Sequence, residues 1–262
     1  MGTVGITMVK NERDVITGVL EHMADEVDDI IVLDNGSTDG TREILASMES
    51  TIPMTIVDDG DPAYYQSIKM SRLAAQAHRR GATWIVPFDA DELWYHPSGR
   101  LRDVLAAYPD TVTACTASLT NHYRTSLDEL SDDPFRSMVW RARTPGALPK
   151  IAFRYQEGAV IHQGNHGVDL PAPGTTDIGI EIRHFMIRSA DQFISKVRQG
   201  AAAYAATDLP EDQGAHWRAW GKLLDAGGPS VLALVFQEHY WYQNPDDHGL
   251  VRDPAPYLRW QV

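Results

Sequence analysis

The densest chemical feature of the sequence is Phe88-Asp-Ala-Asp-Glu92, where Asp89, Asp91 and Glu92 follow an apolar run at 84–88 that reads as a buried strand. Carboxylates at the end of a buried strand are costly unless something neutralises them. A hard divalent cation would do so, and Mg²⁺ or Mn²⁺ held by Asp89 and Asp91 could bridge them to a diphosphate and offset charge on a departing nucleotide. The plain alternative is a solvated acidic turn that caps nearby backbone groups. A second polar cluster, Asp34-Asn-Gly-Ser-Thr-Asp-Gly-Thr41, closes the apolar run 30–33. Asp34 could accept hydrogen bonds from the base or ribose of a nucleotide. Ser37, Thr38 and Asp39 read better as caps of a helix that carries Ile44, Leu45 and Met48.

These clusters need a frame, and the first hundred residues supply one. Strand-like runs at 4–9, 30–33, 54–57 and 84–88 alternate with helical stripes at 15–23, around 44–48 and at 65–80, the last ended by Gly81. Strand and helix in alternation predict a parallel sheet with right-handed crossovers. Ligands of such sheets bind beyond the carboxyl ends of the strands, so Glu12, Asp34, Asp58 and Asp89 should converge on one edge. Further on, 111–117 reads as a strand, 121–134 as a polar loop, and 135–141, 151–155, 160–162 and 180–185 as short strands. The segment 171–176 reads as a loop and 190–206 as a helix. A composition shift near 190 divides a core, 1–189, from a helical C-terminal extension on the acceptor side, 190–262.

Composition narrows the classes. The chain has 262 residues, 43% of them hydrophobic, and a net charge of −13, with a pI near 5.1. That balance opposes sequence-independent nucleic-acid binding and offers no general attraction to anionic lipid. Cys115 is the only cysteine, so no internal disulfide can form, which suits a reducing cytoplasm. Cys115 sits in an apolar run and reads as an inert core residue. No signal-peptide pattern opens the sequence and no run is long enough to span a membrane. The expectation is a soluble cytoplasmic protein, with oligomerisation left open.

Together, Met8-Val-Lys-Asn-Glu12, Val32-Leu-Asp-Asn-Gly-Ser-Thr-Asp-Gly-Thr41 and Phe88-Asp-Ala-Asp-Glu92 resemble, in order and spacing, the motifs of GT-A glycosyltransferases, specifically glycosyltransferase family 2. The resemblance implies an α/β fold of the GT-A, Rossmann-like kind, with a mostly parallel central sheet flanked by helices. It implies metal-dependent transfer, hexosyl transfer above all, from a UDP- or GDP-linked sugar to a saccharide or small-molecule acceptor, with Mn²⁺ or Mg²⁺ as cofactor. It assigns Val9, Asn11, Glu12, Asp34, Asn35, Lys69, Arg72, Asp89 and Ala90 to the nucleotide sugar, and Asp89, Asp91 and His184 to the metal. For Lys69 and Arg72 a solvated helix face is an equal alternative, and for His184 a structural histidine.

Many members of that family carry an acidic pair, the source of the catalytic base, well past the metal motif. This sequence has none at the expected place. Arg183-His-Phe-Met-Ile-Arg-Ser189, Gly164-Asn-His-Gly-Val168 and Gly249-Leu-Val-Arg-Asp-Pro254 are instead similar to a subgroup that lacks the pair. His162, His166 and Asp169 share a polar, glycine-rich stretch, and His166 and Asp169 are the candidates for the catalytic base. Trp217, Trp220, Tyr240, Trp241, Tyr242 and Trp260 could pack against a sugar ring, but read better as the core of the extension. Two rival functions remain. A sugar-nucleotide nucleotidyltransferase would carry a glycine-rich basic loop where this chain has Lys10-Asn-Glu-Arg-Asp14. A non-catalytic nucleotide-sugar binding module has no need of an intact Asp89 and Asp91.

Overall fold

A computed structural model describes residues 2–129 and 131–254. In chain order the elements are β1 (Gly2–Val9), α1 (Ile16–Glu26), β2 (Asp29–Asp34), α2 (Thr41–Met48), β3 (Met54–Asp58), α3 (Gln66–Arg79) and β4 (Ala82–Pro87). Then come β5 (Glu92–Tyr95), α4 (Leu101–Ala106), β6 (Ala114–Thr125), α5 (Pro134–Ser137), β7 (Trp140–Arg141), β8 (Lys150–Arg154), β9 (Val160–Ile161), β10 (Val168–Asp169) and β11 (Thr175–His184). The chain continues with α6 (Ala190–Ala205), α7 (Ala215–Gly227), α8 (Pro229–His239), β12 (Trp241–Tyr242) and β13 (Val251–Arg252). Two compact units form. The first takes the chain up to Gly60, Gln66–Thr120 and Thr144–His184; the second takes Asp61–Tyr65, Asn121–Arg143 and the chain from Phe185 onward. No single cut in the sequence separates them.

The first unit holds the expected α/β sheet, in the order β6-β8-β4-β1-β2-β3. β1 pairs parallel with β2 and with β4, and β2 with β3; β8 joins β4 and β6 antiparallel. The helical stripes pack where their period predicts. Met70, Leu73, Ala74 and Ala77 of α3 lie on Val4, Ile6, Ile31, Leu33 and Ile85 of the sheet. On α1, Ile16, Val19, Leu20 and Met23 are buried. Each large aliphatic side chain so buried contributes roughly 1.5–3 kcal/mol. Gly5 in β1 is dictated by close approach: a Cβ there would stand 2.9 Å from the Phe88 ring. Cys115 is buried, and burial pushes its thiol up to about 11. The expected acidic turn leads directly into β5, which pairs antiparallel with β11 and sets Glu92 opposite His184.

The second unit pairs the end of β6 with β7, and β7 with β13, while β12 runs parallel to β6. Its helices close on Ile187, Phe193, Ile194, Val197, Leu232 and Phe236, with Trp217, Trp220, Tyr240 and Trp241 packed against them. Phe193 meets Trp220 edge to face at 5.2 Å between centroids. These aromatics, each half-buried, pack against that cluster, while Trp260 lies outside the described residues. Two local expectations are corrected. The segment 135–141 opens as a helix, because Asp133 accepts a hydrogen bond from Phe135 N at 2.9 Å and Pro134 occupies the first turn. The segment 121–134 is not all loop, since β6 continues to Thr125 and buries His122 and Thr125. Among the described residues no helix is long and apolar enough to cross a membrane.

Candidate functional site

Register brings the polar ends of the parallel strands together, with Val9 opposite Asp34 and Asp34 opposite Asp58. The loops that follow are stitched to one another. Asn11, at φ 55°, accepts from Thr38 N at 2.7 Å, and its own N–H donates to Ser37 Oγ at 3.0 Å. Glu12 N donates to Thr41 Oγ1 at 2.9 Å, and Val9 O accepts from Asn35 N at 2.9 Å. Asp34, buried, accepts from Ser37 N at 3.2 Å, which turns the chain after β2. Asn35 donates to Asp59 Oδ2 at 2.9 Å, and Lys69 Nζ reaches the same oxygen at 2.6 Å. Lys69 thus enters the site already paired, with an aspartate the sequence reading had not singled out. Arg72 is exposed on α3. Asp58 turns out to solvent, where Arg42, hydrogen-bonded to it at 2.8 Å, holds its carboxyl below the usual carboxylate range.

At the end of β4 the cluster is built differently from expectation. Asp89 Oδ2 lies 2.6 Å from Lys150 Nζ, and Asp89 Oδ1 accepts from Asn165 Nδ2 at 2.9 Å and Gln66 Nε2 at 3.3 Å. Lys150 also sits 2.9 Å from Glu92 Oε1, and the other Glu92 oxygen accepts from Asp89 N at 3.1 Å and Trp94 Nε1 at 3.0 Å. Burial opposes the charge on Lys150, but Asp89 and Glu92 outweigh it and hold the ammonium above the ordinary lysine range. Burial likewise opposes ionisation of Glu92, yet Lys150 and His184 prevail and keep that carboxyl below its ordinary value. For Asp89 burial wins and raises it, against Lys150 and with Glu92 and Asp91 adding. A lysine of the chain thus provides a counter-charge at Asp89.

Asp91 is served separately. Its Oδ1 stands 3.5 Å from His184 Nε2, both side chains being nearly buried. One carboxylate oxygen and one imidazole nitrogen at this spacing can share an ion, and the donor set suits Mn²⁺ better than Mg²⁺. Among the described residues no group of three or more His, Cys, Asp or Glu side chains is gathered for a metal. An ion held by Asp91 and His184 would therefore complete its shell from the substrate's own oxygens. Asp89, the other expected ligand, accepts here from Lys150, Asn165 and Gln66. Ala90 is buried between the aspartates.

The candidates for a base take different partners. Asp169 pairs with His162 Nε2 at 2.9 Å, both exposed. His166 instead places Nδ1 3.0 Å from the Pro149 carbonyl. Lys150, Asn165, Gln66 and Asp59 were not singled out from sequence. Lys150 and Arg154 flank the apolar triplet 151–153, a pattern that marks a strand but not a site, and nothing around Gln66 marked it either.

S. aureus TarS 1–349 in complex with UDP is similar at 13% identity and a TM-score of 0.45, over 82% of this chain and 68% of that one. The same TarS fragment in complex with UDP-GlcNAc gives 13% identity and a TM-score of 0.43, over 82% and 69%. No curated protein matches. The profile of glycosyl transferase family 2 matches residues 6–164, more than half of the chain, from β1 through Lys150 to the turn before His166. The chain belongs to glycosyl transferase family 2, and its α/β sheet is a GT-A core.

Proposed function

We propose that the chain transfers a hexosyl group from a UDP- or GDP-linked sugar to a hydroxyl of a saccharide or small metabolite, with Mn²⁺, or less well Mg²⁺, held by Asp91 and His184. The observation that carries the reading is the 3.5 Å approach of His184 Nε2 to Asp91 Oδ1 beside the paired Asp89. These groups come from distant parts of the chain, and their nearness is what a metal-bridged diphosphate site requires. The nucleotide takes the edge formed by Val9, Asn11, Glu12, Asp34 and Asn35, with the Lys69–Asp59 pair beside it. Asp89 and Ala90 flank the sugar. The bound ion would neutralise charge on the leaving nucleoside diphosphate. The chain's own residues orient donor and acceptor and keep water out. A lone buried cysteine suits work in the reducing cytoplasm.

The test is release of nucleoside diphosphate from UDP-glucose, UDP-galactose, UDP-N-acetylglucosamine and GDP-mannose, with Mn²⁺ and with EDTA. Turnover of one donor that EDTA stops and Asp91→Ala abolishes, in a variant that melts like the parent, supports the reading. Turnover indifferent to both, or no binding of any donor, refutes it.

A further inference from the structure

We infer that His166 Nε2 takes the proton from the acceptor hydroxyl; the inference rests on the transfer reaction proposed above. Three observations converge on this ring. The first fixes its tautomer. The only hydrogen-bond partner of His166 among the described residues is the Pro149 carbonyl, 3.0 Å from Nδ1. A carbonyl can only accept, so Nδ1 carries a proton, and in the neutral ring the lone pair lies on Nε2.

The second is location. The residue before His166 is Asn165, which donates to Asp89 Oδ1 at 2.9 Å. The residue after Pro149 is Lys150, which donates to Asp89 Oδ2 at 2.6 Å. Both the chain that carries the ring and the carbonyl that orients it are thus one residue from side chains bound to Asp89.

The third is access. The half-buried ring lies against Gly164, whose φ is 76°. A Cβ at that position would stand 2.6 Å from Cδ2 and 2.8 Å from Nε2 of His166. Glycine is required both by the backbone conformation and by the closeness of the ring. The Nε2 edge therefore sits over a bare glycine, in a ring that is only half-buried.

The step balances. The acceptor oxygen forms a bond to the anomeric carbon as the bond from that carbon to the diphosphate oxygen breaks. The bonding pair leaves with the nucleoside diphosphate, and the acceptor proton passes to Nε2, giving an imidazolium. Asp169 is instead paired with His162 Nε2 at 2.9 Å, and the step needs no acidic pair. Direct attack of this kind inverts the anomeric configuration.

His166→Asn separates a base from a structural histidine. The asparagine amide can still donate to the Pro149 carbonyl, but nothing replaces Nε2. Donor turnover is measured with water and a panel of p-nitrophenyl glycosides as acceptors, beside calorimetric affinity for UDP and GDP with Mn²⁺. The expected result is a kcat 10²- to 10⁴-fold lower, the usual share of general base catalysis, with nucleotide affinity and Tm unchanged, and partial rescue of His166→Ala by added imidazole. A kcat within about threefold of the parent overturns the assignment. So does loss of nucleotide affinity in step with kcat, absence of imidazole rescue, or an equal loss in Asp169→Asn. If the parent chain turns over no donor, it is the transfer reaction itself that fails.

Discussion

Lys150 Nζ lies 2.6 Å from Asp89 Oδ2 and 2.9 Å from Glu92 Oε1, so one buried ammonium neutralises two carboxylates at the end of β4. The first aspartate of the Asp-x-Asp motif is thereby tied to the protein, while the second stands 3.5 Å from His184 Nε2.

Removing that ammonium should be severe. Lys150→Met leaves half-buried Asp89 and fully buried Glu92 without their counter-charge. Breaking a buried pair by deleting one partner costs about 3–5 kcal/mol. Urea denaturation should show a loss of that order, and the double variant Lys150→Met/Glu92→Gln should recover part of it. A loss below about 1 kcal/mol would mean the pair is not the structural tie described here.

Glu92 should also leave a mark on acid stability. Its folded carboxyl is held below the unfolded value, so its contribution is present above an unfolded pKa of about 4.3 and is lost as pH falls through the folded value. Asp89, raised by burial, acts with the opposite sign, but it is present in both parent and variant. The Tm difference between the parent and Glu92→Gln should therefore be largest near neutral pH and shrink below about pH 4. A difference independent of pH contradicts the assignment.

How much of this was legible in the sequence follows from where each residue gets its position. The strands β1 to β4 were legible because apolar periods of two and of 3.6 alternate there. Asp34 and Asp89 were legible because each ends a strand. Lys150 was not: β8 runs antiparallel to β4, with Trp84 opposite Arg154 and Ile85 opposite Phe153. Only that register carries Lys150 to the end of β4. Asp58 lies on the expected sheet edge opposite Asp34, but its side chain faces solvent and Arg42, while Asp59, one residue on, bonds Asn35 and Lys69. The side-chain alternation of an extended chain makes that difference, and a register cannot be read off a run of acids. The helix at Pro134 was hidden by its length, a single turn set by a cap and a proline rather than by a period.

Asp34 offers a test of the nucleotide edge. Its contact would be made to base or ribose, remote from the reacting carbon, and equally in ground and transition states. Asp34→Ala should raise KM for the donor about tenfold or more with kcat little changed. Unchanged calorimetric affinity for UDP and GDP would remove Asp34 from the nucleotide site.

His184→Ala should weaken Mn²⁺-dependent binding of the nucleotide and shift preference toward Mg²⁺, since imidazole nitrogen favours the softer ion. A structural histidine would instead lower Tm and leave metal affinity as it was.

The central claim is that Asp91 and His184, and not Asp89, hold the ion. A crystal structure with Mn²⁺ and the preferred nucleoside diphosphate, with data collected at the manganese absorption edge, locates the ion directly. The account predicts one anomalous peak within roughly 2.5 Å of both Asp91 Oδ1 and His184 Nε2, with Lys150 still paired to Asp89. A peak bound by Asp89 after displacement of Lys150, or one well beyond that distance from His184, would contradict it.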